Sequence, residues 1–173
     1  MTHRFEIRTL EKGEWALLRD LRLLALDHDP AAFDSTIARE GAFTESGWLA
    51  RMDTTTWFVA EARRTHIGLV CGADLSADPP DERHLMSLWV APPWRRYGVA
   101  RGLITAVTAW AARDAGRFLS LWVADDNAPA IALFERLGFE RTGWEQPFPS
   151  DPTRREVRMV RDFARETADE GLG

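Results

Sequence analysis

The sequence predicts one α/β domain, a sheet of six to seven strands flanked by about four helices. Two patterns carry that prediction. Short β-rich runs alternate with longer segments whose apolar residues recur at helical spacing, and no internal repeat or low-complexity stretch divides them. Length is the third observation: 173 residues, 45% of them hydrophobic and 28% charged, suit one globular domain with a core of its own.

Residues 5–10 place Phe5 and Ile7 between polar neighbours and read as an opening strand, punctuated by Glu11, Lys12 and Gly13. Over residues 14–27, Leu17, Leu18, Leu21, Leu24 and Ala25 fall on one face of an amphipathic helix. His28 and Pro30 break it, and a weaker helix is expected over residues 35–52, with Gly41 and Gly47 as interruptions. Residues 56–62 and 67–75 are apolar and β-rich, and the polar link at 63–66 makes them a hairpin. The run 76–83, with Pro79 and Pro80, leads to a strand at 85–90, which Pro92 and Pro93 end. Residues 98–115 form a helix with Val99, Leu103, Val107 and Trp110 along one side, and 118–123 are apolar on both faces, as in a strand covered on both sides. Pro129 sits in the first turn of a helix that runs to Leu137 and stops at Gly138. Strands at 139–144 and 155–160 complete a domain spanning residues 1–164, and the charged tail 165–173 is expected to fray.

Charge and composition remove several classes of function. The 22 Lys and Arg against 27 Asp and Glu give a net charge of -5, which repels a phosphate polymer, so nucleic acid is not an expected partner. Cys71 is alone and cannot form an internal disulfide, and the four His show no spacing that holds zinc, so no metal is expected. No stretch approaches ~20 consecutive apolar residues, and residues 1–10 lack the layout of a signal peptide. The expectation is a cytoplasmic protein without a membrane partner. Eight Trp in this length is high, and some of those rings are expected to line a cleft.

The informative segment follows the strand at 85–90: Pro92, Pro93, Trp94, Arg95, Arg96, Tyr97, Gly98, Val99, Ala100, Arg101. A strand entering a helix through Arg-x-x-Gly-x-Ala presents unpaired backbone N–H groups at the positive end of a helix dipole, an anion site. Gly98 and Ala100 let a diphosphate approach the main chain, and Arg95 or Arg96 can add charge-assisted contacts. A solvated basic turn that only caps a helix would use similar residues.

Residues 88–103 also resemble the pyrophosphate-binding motif of the GNAT N-acetyltransferase superfamily, with Val90, Pro92, Arg95, Gly98 and Ala100 in register. Leu121, Val123, Asn127, Ala130, Leu133, Phe134, Leu137, Gly138 and Phe139 resemble the superfamily's second motif, and the order of elements over residues 5–160 is similar to its fold. The resemblance implies a mixed, mostly antiparallel sheet, splayed between the strands at 85–90 and 118–123. It implies acetyl-CoA as acyl donor, with the phosphates on Arg95, Arg96, Tyr97, Gly98, Val99 and Ala100. Main-chain groups of Leu88 and Val90 would meet the pantetheine amides and polarise the thioester, and Asn127, Ala130 and Phe134 would line the same arm. The implied reaction is direct acetyl transfer to a primary amine of a small molecule, amino acid, antibiotic or peptide, through a ternary complex.

His84, six residues before Val90, stands where this family often carries a catalytic base; the alternative is an exposed polar residue at the start of a strand. Glu82 and Ser87 are further candidates, Ser87 as a link in a water relay. Phe134 stands where many members carry the tyrosine that protonates the leaving thiolate, and the only tyrosine, Tyr97, is in the phosphate turn. That departure motivates a second reading, a catalytically weak acyl-CoA-binding sensor. Cys71 is read as a buried small hydrophobe rather than an acyl carrier, and Arg136 as part of a solvated helix face. On the acceptor side Asp27, Asp29, Asp34 and Glu40 could attract a cationic amine or be ordinary surface charge. Phe33, Trp48, Trp89, Trp122, Trp144 and Phe148 could wall the site or belong to the core. Dimers are common in the family, and the last strands offer an edge through which a homodimer could pair.

Overall fold

The computed structural model describes residues 4–74 and 80–163. The expected frayed tail and residues 76–79 of the Pro79-bearing run lie outside the described residues.

Strands β1 (Glu6–Thr9), β2 (Thr55–Ala62), β3 (Thr65–Ala73), β4 (Glu82–Val90), β5 (Phe118–Ala124), β6 (Glu140–Phe148) and β7 (Asp151–Asp162) form one seven-stranded sheet in the order β1-β2-β3-β4-β5-β7-β6. Helices α1 (Trp15–His28), α2 (Ile37–Gly41), α3 (Glu45–Thr54), α4 (Val99–Arg113) and α5 (Ala128–Arg136) accompany it. Every neighbouring pair is antiparallel except β4 and β5, which are parallel and joined through α4.

Alternation along the strands sends side chains to two cores. One face packs under α4 and α5 and includes Val70, Leu85, Leu121, Val123, Val157 and Met159, together with Leu103, Ile104, Val107 and Phe134. The other, with Trp57, Val59, Leu69 and Cys71, packs against Leu18, Leu21 and Ala25 of α1 and Trp48 and Met52 of α3. Each fully buried Leu or Val of these layers contributes roughly 1.5–3 kcal/mol of transfer free energy. Gly72 of β3 is fitted to its neighbour: an added Cβ would stand 2.6 Å from the Trp110 ring of α4.

The expected helix over 35–52 is two helices. Thr36 accepts a hydrogen bond from the Arg39 N–H at 3.2 Å and Thr44 one from the Gly47 N–H at 3.4 Å, so each caps a separate N-terminus. Gly41 ends the first helix, whereas Gly47 sits inside the second. The last two strands run farther than expected, because β6 and β7 extend each other as a hairpin out to Phe148 and Asp151.

One feature of the sheet creates the site. β4 and β5 pair only at Glu82 with Phe118, Arg83 with Leu119 and His84 with Ser120, and beyond that rung they diverge. On its other edge β5 pairs with β7 along its whole length. The result is a V-shaped gap in the sheet with His84 and Ser120 at its apex.

Candidate active site

A cavity of about 1100 Å³ fills the gap and continues between the α1–α2 loop and the β6–β7 hairpin. Its wall includes His84, Met86, Ser87 and Leu88 of β4, Trp122 and Ala124 of β5, Asn127, Ala130 and Phe134 beside and on α5, and Phe33, Asp34, Phe148 and Glu156 on the far side.

β4 is distorted where it faces this cavity. Leu69 pairs with Trp89 and Cys71 with Met86, so Ser87 and Leu88 together oppose the single Val70. Ser87 takes φ 60, a left-handed conformation that a non-glycine residue holds only under constraint. The bulge turns the Ser87–Leu88 main chain away from regular pairing with β3, next to the gap.

At the end of β4, Pro92–Trp94 forms a single 3-10 turn, Arg96 adopts φ 68 and Gly98 φ 86, and α4 begins. Gly98 has no capping side chain, and the first bond back to it comes from the Gly102 N–H at 3.0 Å. The N–H groups of Val99, Ala100 and Arg101 therefore have no intrahelical acceptor. A Cβ added at Gly98 would meet nothing within 4 Å, so the turn is open there, although residues 95–100 are not part of the wall of the cavity. The free donors, the dipole and the open space fit a diphosphate.

Arg95 points elsewhere. Its Nε donates to the Val90 carbonyl at 2.9 Å and its guanidinium pairs with Asp29, which also accepts the Trp89 indole N–H at 2.8 Å. In this structure it ties the α1–α2 loop to the end of β4 and occupies the Val90 carbonyl, leaving the helix N-terminus as the group offered to an anion. Asn127 caps α5 through its Oδ1, which accepts from the Ala130 N–H at 3.3 Å, while lining the cleft. Phe134 is buried, edge-on to Phe139 at 5.5 Å between ring centres, and lines the cleft without a hydroxyl to offer. Tyr97 is about half-exposed in the turn.

His84 hydrogen-bonds through Nδ1 to the Ser120 hydroxyl at 2.9 Å. Burial lowers its pKa from the ordinary 6.5 to about 4, so the ring is neutral at physiological pH rather than poised near neutrality as the sequence suggested. Glu82 is not open to the site: Arg158 holds both of its oxygens at 2.6 Å.

The acidic residues of the acceptor side sort sharply. Asp29 is committed to Arg95 and Trp89. Glu40, almost wholly buried, is bracketed by Arg22 and Arg51, whose guanidinium groups outweigh the desolvation cost and hold its carboxyl below the usual range. Asp27 is outside the cavity wall, which leaves Asp34 as the uncommitted one of the four. The aromatic residues sort as well. Phe33, Trp122 and Phe148 line the cavity; Trp48 and Trp89 are core; Trp144, 71% exposed on the edge strand, lies away from the wall. Cys71 is buried in the α1 core and its thiol is pushed up to about 12 by desolvation.

Two residues of the cavity wall were not singled out from the sequence. Arg154 donates to the Ala31 carbonyl at 2.7 Å, pairs with Asp126 at 2.7 Å and stacks on Phe148 at 4.8 Å, fastening three segments over the cavity. Glu156, on β7, is a buried carboxylate on the cavity wall. Its only signal in the sequence is a polar residue inside a strand. Among the described residues, no group of three or more His, Cys, Asp or Glu is placed to hold a metal ion, and no helix is long and apolar enough to cross a membrane.

With a parallel pair of strands splayed beside an uncapped helix N-terminus, the architecture is that of an acyl-CoA-dependent transferase fold. Residues 18–139 match the acetyltransferase (GNAT) family, and the chain belongs to that family. It is 29% identical over 104 residues to an uncharacterised N-acetyltransferase of Methanocaldococcus jannaschii, covering 56% of this chain and 46% of that protein. It is 38% identical over 79 residues to the mycothiol acetyltransferase of Thermobifida fusca, covering 44% of this chain and 23% of that one. The chain thus spans less than half the length of either relative. Among solved structures, a GNAT-family acetyltransferase of Streptococcus pneumoniae superposes with a TM-score of 0.73 at 20% identity, over 92% of this chain and 99% of that one. The yncA protein of Salmonella typhimurium, solved with its cofactor acetyl-CoA, gives 0.72 at 20% identity, over 92% and 94%. At such identities the likeness establishes the fold.

Proposed function

We propose that the protein transfers an acetyl group from acetyl-CoA to a primary amine, directly and within a ternary complex. The observation that carries this reading is the gap between β4 and β5 leading to the uncapped N-terminus of α4: a slot for an extended arm ending at an anion site. The diphosphate of coenzyme A lies against Gly98, Val99 and Ala100, with Arg96 and Tyr97 at the rim and Arg95 holding the turn in place. The pantetheine arm follows the gap past Asn127, Ala130 and Phe134. The bulge at Ser87–Leu88 supplies main-chain groups that strand pairing no longer uses, and these polarise the thioester carbonyl. Fixing both partners in the gap supplies much of the rate through orientation. The similarity to an N-acetyltransferase and to a mycothiol acetyltransferase supports the reaction class.

His84, neutral and oriented by Ser120, accepts a hydrogen bond from the amine or from a water between them, with Ser87 as a second relay position. Phe134 donates no proton, so the thiolate leaves unprotonated or takes its proton from water; a thiol of pKa near ~8.5 is a tolerable leaving group. The test is release of free thiol from acetyl-CoA with a panel of primary amines. Turnover with any of them supports the enzyme. Tight acetyl-CoA binding with no turnover supports the alternative that Phe134 favours, an acyl-CoA-binding sensor.

A further inference from the structure

We propose that Glu156 receives the proton of the acceptor ammonium, and that the acceptor enters as a cationic primary amine held between Glu156 and the carboxylate of Asp34. The proposal rests on the acetyl-transfer reading and names the acceptor class and a catalytic residue for it.

The placement follows from strand alternation. Val157 and Met159 of β7 enter the α4 core, so Glu156, in register with Ala124 of β5, points to the opposite face. Leu85 enters the same α4 core, which puts His84 on the face that Glu156 shares. Glu156 is 6% exposed and lines the cavity. Its Oε1 accepts a hydrogen bond from Gln146 Nε2 at 2.5 Å, and among the described residues its Oε2 has no hydrogen-bond partner. Among the described residues no cation pairs with it.

The other carboxylates of the wall are neutralised: Asp29 by Arg95, Glu40 by Arg22 and Arg51, Asp126 by Arg154. Asp34 and Glu156 are the carboxylates of the wall that have no paired cation among the described residues; Arg39 of α2 lines the same cavity but pairs with neither. A buried carboxylate without a counter-cation is costly, and a cation arriving from solution removes that cost. The charged group that faces Glu156 is Asp34, from the loop before α2; Gln146 of β6 is neutral, and β5 presents Ala124 at that rung. On its own strand Arg154 and Arg158 are tied to Asp126 and Glu82. Burial, with Asp34 adding to it, raises the Glu156 pKa above the ordinary carboxylate range.

Charge type separates Glu156 from His84. A proton passed from an ammonium to neutral His84 only moves a cation, and this site disfavours cationic His84. A proton passed to Glu156 turns two buried charges into two neutral groups, which a water-poor cleft favours. The ammonium first gives one proton to the Glu156 carboxylate. The freed nitrogen lone pair then attacks the acetyl carbon, the C–N bond forms, and the C–S bond breaks with its electron pair leaving on sulfur. The second nitrogen-bound proton goes to water, the thiolate leaves unprotonated or takes its proton from water, and Glu156 returns its own to solvent.

The test measures thiol release from acetyl-CoA with benzylamine, spermidine, glycinamide and alanylalanine, for the wild type and Glu156→Gln, from acid to alkaline pH. Glutamine preserves the acceptor for Gln146. In the wild type, kcat/KM should fall as the pH drops through a value above the usual carboxylate range. In Glu156→Gln it should be ~100-fold lower or worse, with that acid limb gone and coenzyme A affinity unchanged by calorimetry. Glu156→Asp should restore part of the rate. A wild type active on a panel amine with no acid limb, or a folded Glu156→Gln that keeps both rate and limb, overturns this assignment and leaves acetyl transfer standing. A wild type silent on every amine instead overturns the acetyl-transfer reading, and this proposal with it.

Discussion

His84 shows how one side chain can be legible in position and hidden in chemistry. Its place six residues before Val90 is visible in the sequence, but its burial is created by β5, β7 and the α1–α2 loop, all distant along the chain. Because its pKa is about 4 when folded and 6.5 ordinarily, the unfolded chain binds a proton between those values that the folded chain refuses. Stability is therefore full above the upper value and is lost as pH falls towards the lower one, by up to roughly 3 kcal/mol. Denaturant melts at about pH 7 and about pH 4 should show that loss in the wild type and a smaller one in His84→Asn. At neutral pH His84→Ala should lower turnover while leaving coenzyme A affinity intact; unchanged turnover would remove His84 from the reaction. Glu156 was invisible for the converse reason. A glutamate between Arg155 and Val157 reads as an ordinary outward-facing strand residue until the hairpin and the α1–α2 loop cover it.

Elements with a local signal were readable and those decided by packing were not. α4 and α5 announce themselves through Gly98, Pro129 and their apolar stripes, and the structure starts and ends both within about two residues of expectation. The α2–α3 break was written in Thr36 and Thr44, two capping residues whose weight is easily lost in a segment with weak periodicity. The lengths of β6 and β7 were not legible, because pairing of each with the other, rather than composition, carries them through Pro147 and Pro152. Close packing of α4 on β3 gives a sharper test of the arrangement. Gly72→Ala forces its Cβ into the Trp110 ring and should cost about 1–3 kcal/mol. A melting temperature equal to that of the wild type would show that Trp110 does not lie over Gly72.

The whole molecule holds its reaction site open by a break in its own sheet. No local pattern could reveal this, since the gap depends on β4 and β5, held by different neighbours on their outer edges, parting after three rungs. The roof is similarly long-range: Arg154 draws the α1–α2 loop, the β5–α5 loop and Phe148 together across the cavity. Arg154→Ala should loosen that roof, raising KM for the amine by about tenfold with little change in coenzyme A affinity, an effect of ~1.4 kcal/mol. An unchanged KM would mean that the roof does not bound the acceptor. The floor of the site, the helix end at Gly98, supports the rest of the account. Calorimetric titration of acetyl-CoA into the wild type and into Gly98→Asp tests it most directly, because the new carboxylate projects into the space left open over the free N–H groups. The account predicts saturable binding to the wild type and a loss of ~100-fold or more in the variant, far beyond the ~1 kcal/mol that a left-handed non-glycine residue costs the fold. Absence of binding to the wild type, or equal affinity in both proteins, would contradict it.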